Sequence, residues 1–594
     1  MQLRPTLLAG SLALALFNLA ACGAAPPKAA VAPAAITQTA SAKAAAAAYD
    51  FDLDIFHPVV ASNGMVATEQ ALASQIGLDI LKAGGNAVDA AVAVGFALAV
   101  ALPNAGNLGG GGFMMVYDAR SGKSVALDFR EMAPSQASRD MYLDASGKVI
   151  DGKSLYTHYA VGVPGTVKGL EHALKSWGTM SMAQVTTPAA NLAERGFAVS
   201  DTLAKTLVQN SKTMGQWPAT RAIFWNGSAP LKVGETLVQK ELAASMRLIG
   251  KEGSKAFYEG SIAQKIAAEM AAHAGTITAA DLRSYKVVER EPTRGTYRGY
   301  DIVTMPPPSS GGPHLVQILN MLEPLPLKEW GSNSAKTIHY MAESMKLAYA
   351  DRSEYLGDPD FVKIPLKGLT SKRYADSLRQ TIHANQARLA KDIKPGKPLP
   401  YESDQTTHYS VVDKAGNAVA VTYTLNTSFG SGIVAAGTGI LLNNEMDDFS
   451  AKPGVANAYG LVGGDANAVA AGKRPLSSMT PTLVLKDGKP ALVTGSPGGA
   501  RIITTVLQTV INSIDFGMNP AEAAATARVH HQWTPDELRI EKGISPDTVA
   551  LLKQRGHKVA LKASMGRTQT IALKDGVLYG ASDPRNPDGK TLGY

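Results

Sequence analysis

Apolar and polar positions alternate between two spacings along the chain. Over Glu69 to Ala83 and Ser200 to Thr213 the apolar residues recur at helical intervals, whereas Phe113 to Tyr117 and Ser124 to Phe129 are short apolar runs of strand length. The first half therefore predicts mixed α and β structure. Ala87 to Leu102 is apolar almost throughout, yet it contains Asp89 and consists mostly of Ala, Val and Gly. It is also short for the roughly 20 residues that a membrane span needs, so it predicts a buried helix.

The second half opens with a pattern that can be read in more detail. Thr407 to Asp413 and Asn417 to Leu425 flank Lys414-Ala415-Gly416, which predicts a β-hairpin whose glycine takes the left-handed conformation. If Asp413 and Asn417 close the loop, paired residues have numbers summing to 830, and Thr406 lies opposite Thr424. Alternation then puts Thr406, His408, Ser410, Thr422 and Thr424 on one small, polar face. Tyr409, Val411, Val419, Val421, Tyr423 and Leu425 take the other, a core face.

The first 22 residues read as an export signal: Arg4, an apolar run from Leu7 to Leu16, then Ala20 and Ala21 before Cys22. Leu19-Ala20-Ala21-Cys22 is similar to the bacterial lipobox, which would lipidate Cys22 and tether the protein. The alternative is cleavage near Ala21 or Ala25, with the cysteine incidental. Export to a bacterial periplasm is expected in either case. Residues 23–50, rich in Ala and Pro, predict a disordered spacer, and the body begins at about residue 51.

Composition changes this picture little. Basic residues exceed acidic ones by only eight, without a basic stripe or interleaved aromatics, which argues against nucleic acid binding. Cys22 is the only cysteine, so no disulfide can form within one chain. His530-His531 lacks a cysteine or a spaced carboxylate set, and neither a metal nor another cofactor is expected.

The chemically suggestive residue is Thr406, at the start of the first hairpin strand. An internal threonine hydroxyl is a poor nucleophile. It becomes a good one as an N-terminal residue, whose own free amine serves as the base, and this requires a cut between Gln405 and Thr406. Polar clusters recur downstream: Asn426, Asn443 to Phe449, Arg474 to Met479, and Thr494 to Gly499.

With Gly84 to Ala91, Gly106 to Phe113 and Gly580 to Arg585, these clusters carry a resemblance that covers essentially the whole body. The chain resembles the bacterial γ-glutamyltranspeptidases, or glutathione hydrolases, of the N-terminal nucleophile hydrolase superfamily. The resemblance implies an α+β fold, a four-layer αββα sandwich. It also implies a precursor that cuts itself into a large subunit, 51–405, and a small catalytic subunit, 406–594, held together as a heterodimer.

On the matching positions, the resemblance implies that Thr406 is the nucleophile and Thr424 its hydrogen-bond partner. Gly498 and Gly499 match the paired glycines whose N–H groups receive the oxyanion, a role suited to donors at a helix start. Arg130 matches the arginine that holds the substrate α-carboxylate, where a planar fork suits two oxygens. Ser477 and Ser478 match its hydroxyl donors, and Asn426, Glu445 and Asp448 surround the α-ammonium. Position 445 is glutamine in some relatives, so Glu445 adds negative charge. Tyr459, within the Gly-rich stretch 452–474, matches a lid over the pocket.

The expected reaction transfers a γ-glutamyl group from glutathione or related small molecules to Thr406, then to water or to an amino acid or dipeptide acceptor. Two other readings stay open: another amidase of the superfamily, such as a cephalosporin acylase, and a noncatalytic envelope lipoprotein of the same fold.

Overall fold

Two seven-stranded antiparallel sheets lie at the centre of the protein, seen here in a computed structural model that describes residues 49–396, 407–452, 455 and 464–594. The segments predicted as signal and lipobox, including Cys22, lie outside the described residues, as do nearly all of the spacer and Gln405, Thr406 and Tyr459. One sheet runs in the order 590–593, 65–68, 407–412, 418–424, 111–118, 123–129 and 288–290. The other runs 59–61, 577–582, 569–574, 489–494, 482–486, 300–304 and 293–297.

The sheets stack face to face, and helices cover both outer faces. Ala71–Lys82, Ala87–Ala101, Thr166–Trp177 and Met182–Arg195 share a core with the outward residues of the first sheet. Gly311–Leu322, Ala335–Tyr355 and Arg501–Ile514 cover the second. This is the four-layer αββα sandwich, in which each sheet buries both of its faces.

The predicted hairpin has the expected register. Thr407 pairs with Tyr423 and Val412 with Ala418. Asp413 and Asn417 close the loop, Asp413 N donating to Asn417 O at 3.1 Å, and Gly416 takes φ +86°. The described residues divide between the two faces as the alternation predicts, but the polar face is buried as well as the apolar one. Tyr409, Val411, Val421 and Tyr423 face the helices. His408, Ser410 and Thr422 face the second sheet, where Ser410 Oγ donates to Gln569 O at 2.9 Å. These polar side chains satisfy one another in the gap: His408 lies 2.8 Å from Thr422 Oγ1 and 3.1 Å from Ser410 Oγ.

Ala87–Ala101 is a helix buried at every position. Its small residues permit close packing, and the Tyr423 hydroxyl donates to Gly95 O at 2.9 Å. Asp89 acts in its capping box and also accepts from Thr179 and Met180. Among the described residues no helix is long and apolar enough to cross a membrane. Ser200 to Thr213 forms two helices rather than one, Asp201–Gln209 and Ser211–Met214, because Asn210 caps the first outside helical geometry. Helix Ala71–Lys82 starts later than its pattern suggests: Gln70 is its N-cap, and Glu69 turns inward to the hairpin.

The glycines at 109–112 allow the first sheet to crowd the end of the strand that carries Thr424. Gly111 pairs with Thr424, and a Cβ on Gly110 would fall on the Thr424 carbonyl oxygen. The same carbonyl accepts from Asn107 Nδ2 at 2.7 Å, and Asn107 Oδ1 accepts from Gly110 N and Thr166 Oγ1. Gly110→Ala is expected to destabilise the protein by at least about 1–3 kcal/mol, the usual cost of overpacking. Urea unfolding of the purified variant measures this, and an unchanged midpoint would contradict so close an approach.

Candidate active site

Arg130 follows directly on the strand Lys123–Phe129 and is almost wholly buried. Its guanidinium reaches across to the short 3-10 turn Glu445–Asp448, where it pairs with Glu445 through one nitrogen and with Asp448 through another. Its Nε donates to the carbonyl of Pro475 at 3.1 Å and a second Nη2 hydrogen to that of Leu476 at 2.9 Å, which brings the loop carrying Ser477 and Ser478 onto the same group. A third carboxylate, Glu131, lies 3.5 Å away with both oxygens buried and without a hydrogen-bond partner.

Burial lowers the proton affinity of Arg130, but the three carboxylates outweigh it and keep the group firmly charged. The carboxylates move the other way. Burial pushes Glu445 up to about 8 and Glu131 up to about 7, against the opposing pull of Arg130. Burial also raises Asp448 well above the usual carboxylate range, with Glu445 adding to the shift. One fixed cation thus faces three acids that cannot all ionise, and the site is poised to take up positive charge.

The turn bearing Glu445 and Asp448 is held by two asparagines. Asn443 Nδ2 donates to Gly109 O at 2.7 Å and Gly162 O at 2.8 Å, while its Oδ1 accepts from Gly162 N and Glu445 N. Asn444 Nδ2 reaches Leu155 O and Thr427 Oγ1. Behind Arg130, Arg474 bonds Asp128 Oδ1 and the Arg130 carbonyl, each at 3.0 Å. Asn107, Glu131, Asn443 and Arg474 were not assigned roles from sequence. Asn107, Asn443 and Arg474 sit inside the quoted glycine-rich and polar motifs, and Glu131 directly follows Arg130.

Thr424 ends its strand, and its Oγ1 accepts from Asn426 N at 2.7 Å. Asn426 holds φ +72° and donates to Asn444 O, while its Oδ1 is buried and unpartnered. Ser477 Oγ accepts from Met479 N, and Ser478 Oγ accepts from Arg352 at 3.0 Å. Sequence alone suggests exposed positions for Arg130, Asn426, Glu445, Asp448, Ser477 and Ser478, but these six and Thr424 are all buried.

Gly498 and Gly499 occupy the link between the strand Lys489–Thr494 and the helix Arg501–Ile514, with φ of +131° and +66°. They precede the helix rather than begin it, and their carbonyls accept from Arg501 N and Ile502 N. A Cβ on nearby Gly495 would strike the His408 ring, so this link lies against the hairpin. Next to the expected cut, Thr407 Oγ1 donates to Glu69 at 2.8 Å, and Glu69 also pairs with Arg567 at 2.9 Å.

An αββα sandwich with a buried charge cluster near the hairpin's strand ends is the architecture of the N-terminal nucleophile hydrolases. Comparison with known proteins narrows this class. A family model described as gamma-glutamyltranspeptidase matches residues 73–593. The glutathione hydrolase proenzyme of Escherichia coli strain K12 is 61% identical over 543 residues, covering 91% of this chain and 93% of that protein. The crystal structure of a cephalosporin acylase from Bacillus halodurans superposes with a TM-score of 0.82 at 30% identity, covering 94% of this chain and 99% of that one. That of Helicobacter pylori gamma-glutamyltranspeptidase gives 0.54 at 46% identity, covering 55% and 93%. The chain belongs to the γ-glutamyltranspeptidase family and is an enzyme of that family.

The carboxylates make stability depend on pH. In an unfolded chain Glu131 and Glu445 lose their protons near 4.5, but in the fold they keep them to about 7 and about 8. Their contribution to folding is therefore complete below pH 4.5 and is lost as pH rises through 7 and 8. Glu445→Gln, neutral at every pH, is expected to melt progressively higher relative to the parent between pH 5 and pH 9. A difference in melting temperature that stays flat or falls over that range would exclude this account.

Proposed function

We propose that the protein is a glutathione hydrolase and γ-glutamyltransferase, made as an exported precursor and cut between Gln405 and Thr406 into subunits 51–405 and 406–594. The observation that carries this reading is the buried Arg130 set against Glu445 and Asp448. An amino-acid head group needs a cation for its carboxylate and anions for its ammonium within a few ångströms of each other. This pocket offers both, whereas an apolar acyl chain would leave the charges unanswered. The head group's carboxylate takes the Arg130 fork with Ser477 and Ser478, displacing Glu445 and Asp448, which turn with Asn426 to the ammonium.

In this reading the Thr406 hydroxyl first attacks the carbonyl of Gln405, which breaks the amide bond, frees the Thr406 α-amine and leaves Gln405 as an ester. Water hydrolyses that ester, releasing the Gln405 carboxylate and restoring the hydroxyl. That amine then serves as base while the same hydroxyl attacks the γ-glutamyl carbonyl, steadied by Thr424. The oxyanion is received by the N–H groups of Gly498 and Gly499. Cysteinylglycine leaves when glutathione is the donor, and water or an amino acid or dipeptide resolves the ester. Tyr459 belongs to a lid over the pocket. Residues 1–22 direct export to the periplasm, with Cys22 as the candidate anchor.

Purified protein is expected to show two bands on a denaturing gel, the smaller beginning at Thr406, and to release product from a chromogenic γ-glutamyl anilide. Thr406→Ala should give one uncut chain and lower turnover by about 10⁴-fold or more. Two correctly cut bands without any release would defeat the proposal. Arg130→Lys loses a fork worth about 1.5–3 kcal/mol, so KM for the donor should rise roughly ten- to hundredfold. An unchanged KM would remove Arg130 from the carboxylate site.

A further inference from the structure

Outside the charged pocket, one buried carboxylate stands beside the start of the first hairpin strand. Glu69 is fully buried between the strand Met65–Thr68 and the helix Ala71–Lys82, and that strand pairs with Thr407–Val412. Its Oε1 accepts from Thr407 Oγ1 at 2.8 Å, and its Oε2 pairs with Arg567 Nε at 2.9 Å. Asn586 Nδ2 donates to the Glu69 carbonyl at 2.9 Å and reaches Oε2 at 3.3 Å. A buried carboxylate is costly unless its oxygens are answered, and here both are.

Arg567 carries the link onward. Its backbone N donates to Ser496 Oγ at 2.9 Å, two residues before Gly498. The preceding residue, Gly566, packs on the same turn: a Cβ on Gly498 would lie 3.3 Å from Gly566 Cα, and a Cβ on Gly566 would lie 2.8 Å from Ser496 Oγ. Gln569 N donates to Gly495 O at 3.3 Å. Residues 566–569 are thus laid along 495–498, while the Arg567 side chain reaches back to Glu69.

The result is a continuous path from the residue after the proposed cut to the turn that holds the paired glycines. It runs through Thr407, Glu69, Arg567 and Ser496, and each non-covalent step is 2.9 Å or shorter. Thr407 belongs to the first sheet and the glycine turn follows a strand of the second, so the path spans the two sheets at this end. The distance it spans matters chemically. Oxyanion donors act only when placed close to the developing charge, and a misplacement of about 1 Å can cost roughly 100-fold in rate.

We propose that Glu69 is a positioning residue, which through Arg567 holds the start of the nucleophile's strand at a fixed distance from the glycine turn. The proposal rests on the roles given above to Thr406, Gly498 and Gly499. Glu69 touches no substrate in this role. The head-group contacts around Arg130 share no residue with the path, so its loss acts on the chemical step and not on donor binding.

Thr407→Val, nearly the same shape, and Arg567→Met break the path on either side of Glu69. Each is expected to slow self-cleavage and, in the cut enzyme, to lower kcat by about tenfold or more while KM for the donor stays within about twofold. The double variant falls no further than the worse single one, since one broken link already uncouples the two walls. Thr407→Ser keeps the hydroxyl and restores parent rates. All are compared well below their measured melting temperatures, so that unfolding does not enter. Parent-like kcat in both single variants, losses that multiply in the double, or a loss carried by KM overturns this proposal while the parent's cut and activity stand. A parent that is neither cut nor active overturns the functional reading and this one with it.

Discussion

A buried guanidinium sets the terms for this site. Arg130 has given up water entirely, and an uncompensated buried charge costs several kcal/mol, so it must be paired wherever it sits. The pairing comes from Glu445 and Asp448 on a turn more than 300 residues away in sequence. That requirement fixes where the turn must lie, and the turn in turn needs Asn443 and Asn444 to hold it. Burial raises Glu445 and Glu131, with neighbouring acids adding to it, so the three carboxylates beside Arg130 are held back from ionising and can do so when an ammonium group arrives.

The scaffold delivers these groups by close backbone approach rather than by long side chains. Glycines at 109–112 bring one strand against its neighbours, where side chains would collide in turn with the carbonyls of Leu441, Thr424, Phe129 and Thr422. Asn107 then ties down the Thr424 carbonyl, and Gly109 O receives Asn443. The glycine-rich motif and the polar turn are thus one construction, linked through main-chain atoms. A site built on sheet ends in this way holds its geometry more tightly than one carried on mobile loops.

Much of this was legible beforehand, and for identifiable reasons. The hairpin register followed from a glycine-closed loop, because period-two alternation leaves few registers open. The all-buried helix Ala87–Ala101 followed from its composition and from Asp89. Burial of the polar hairpin face was not legible, since nothing in Thr406 to Thr424 announces a second sheet packed over it. Nor were Glu131, Asn107 and Asn443 visible as parts of the site, because their partners are main-chain atoms or charges supplied by distant segments. Helix ends at Gln70 and Asn210 depended on local capping, which apolar spacing does not report.

The sandwich also explains why a cut at the proposed bond need not separate its products. The strands Thr407–Val412 and Ala418–Thr424 lie between Met65–Thr68 and Gly111–Asp118, so downstream strands are hydrogen-bonded on both sides to upstream ones. In the other sheet, Thr482–Lys486 pairs with Tyr300–Thr304, and Val577–Ser582 pairs with Val59–Ala61. Pulling the pieces apart would expose unpaired strand edges in both sheets and strip both cores at once. The energetic penalty for dissociation is therefore close to that for unfolding. Arg130 and Glu131 come from the upstream piece and Glu445 and Asp448 from the downstream one, so the charge cluster persists only while the two remain interlocked.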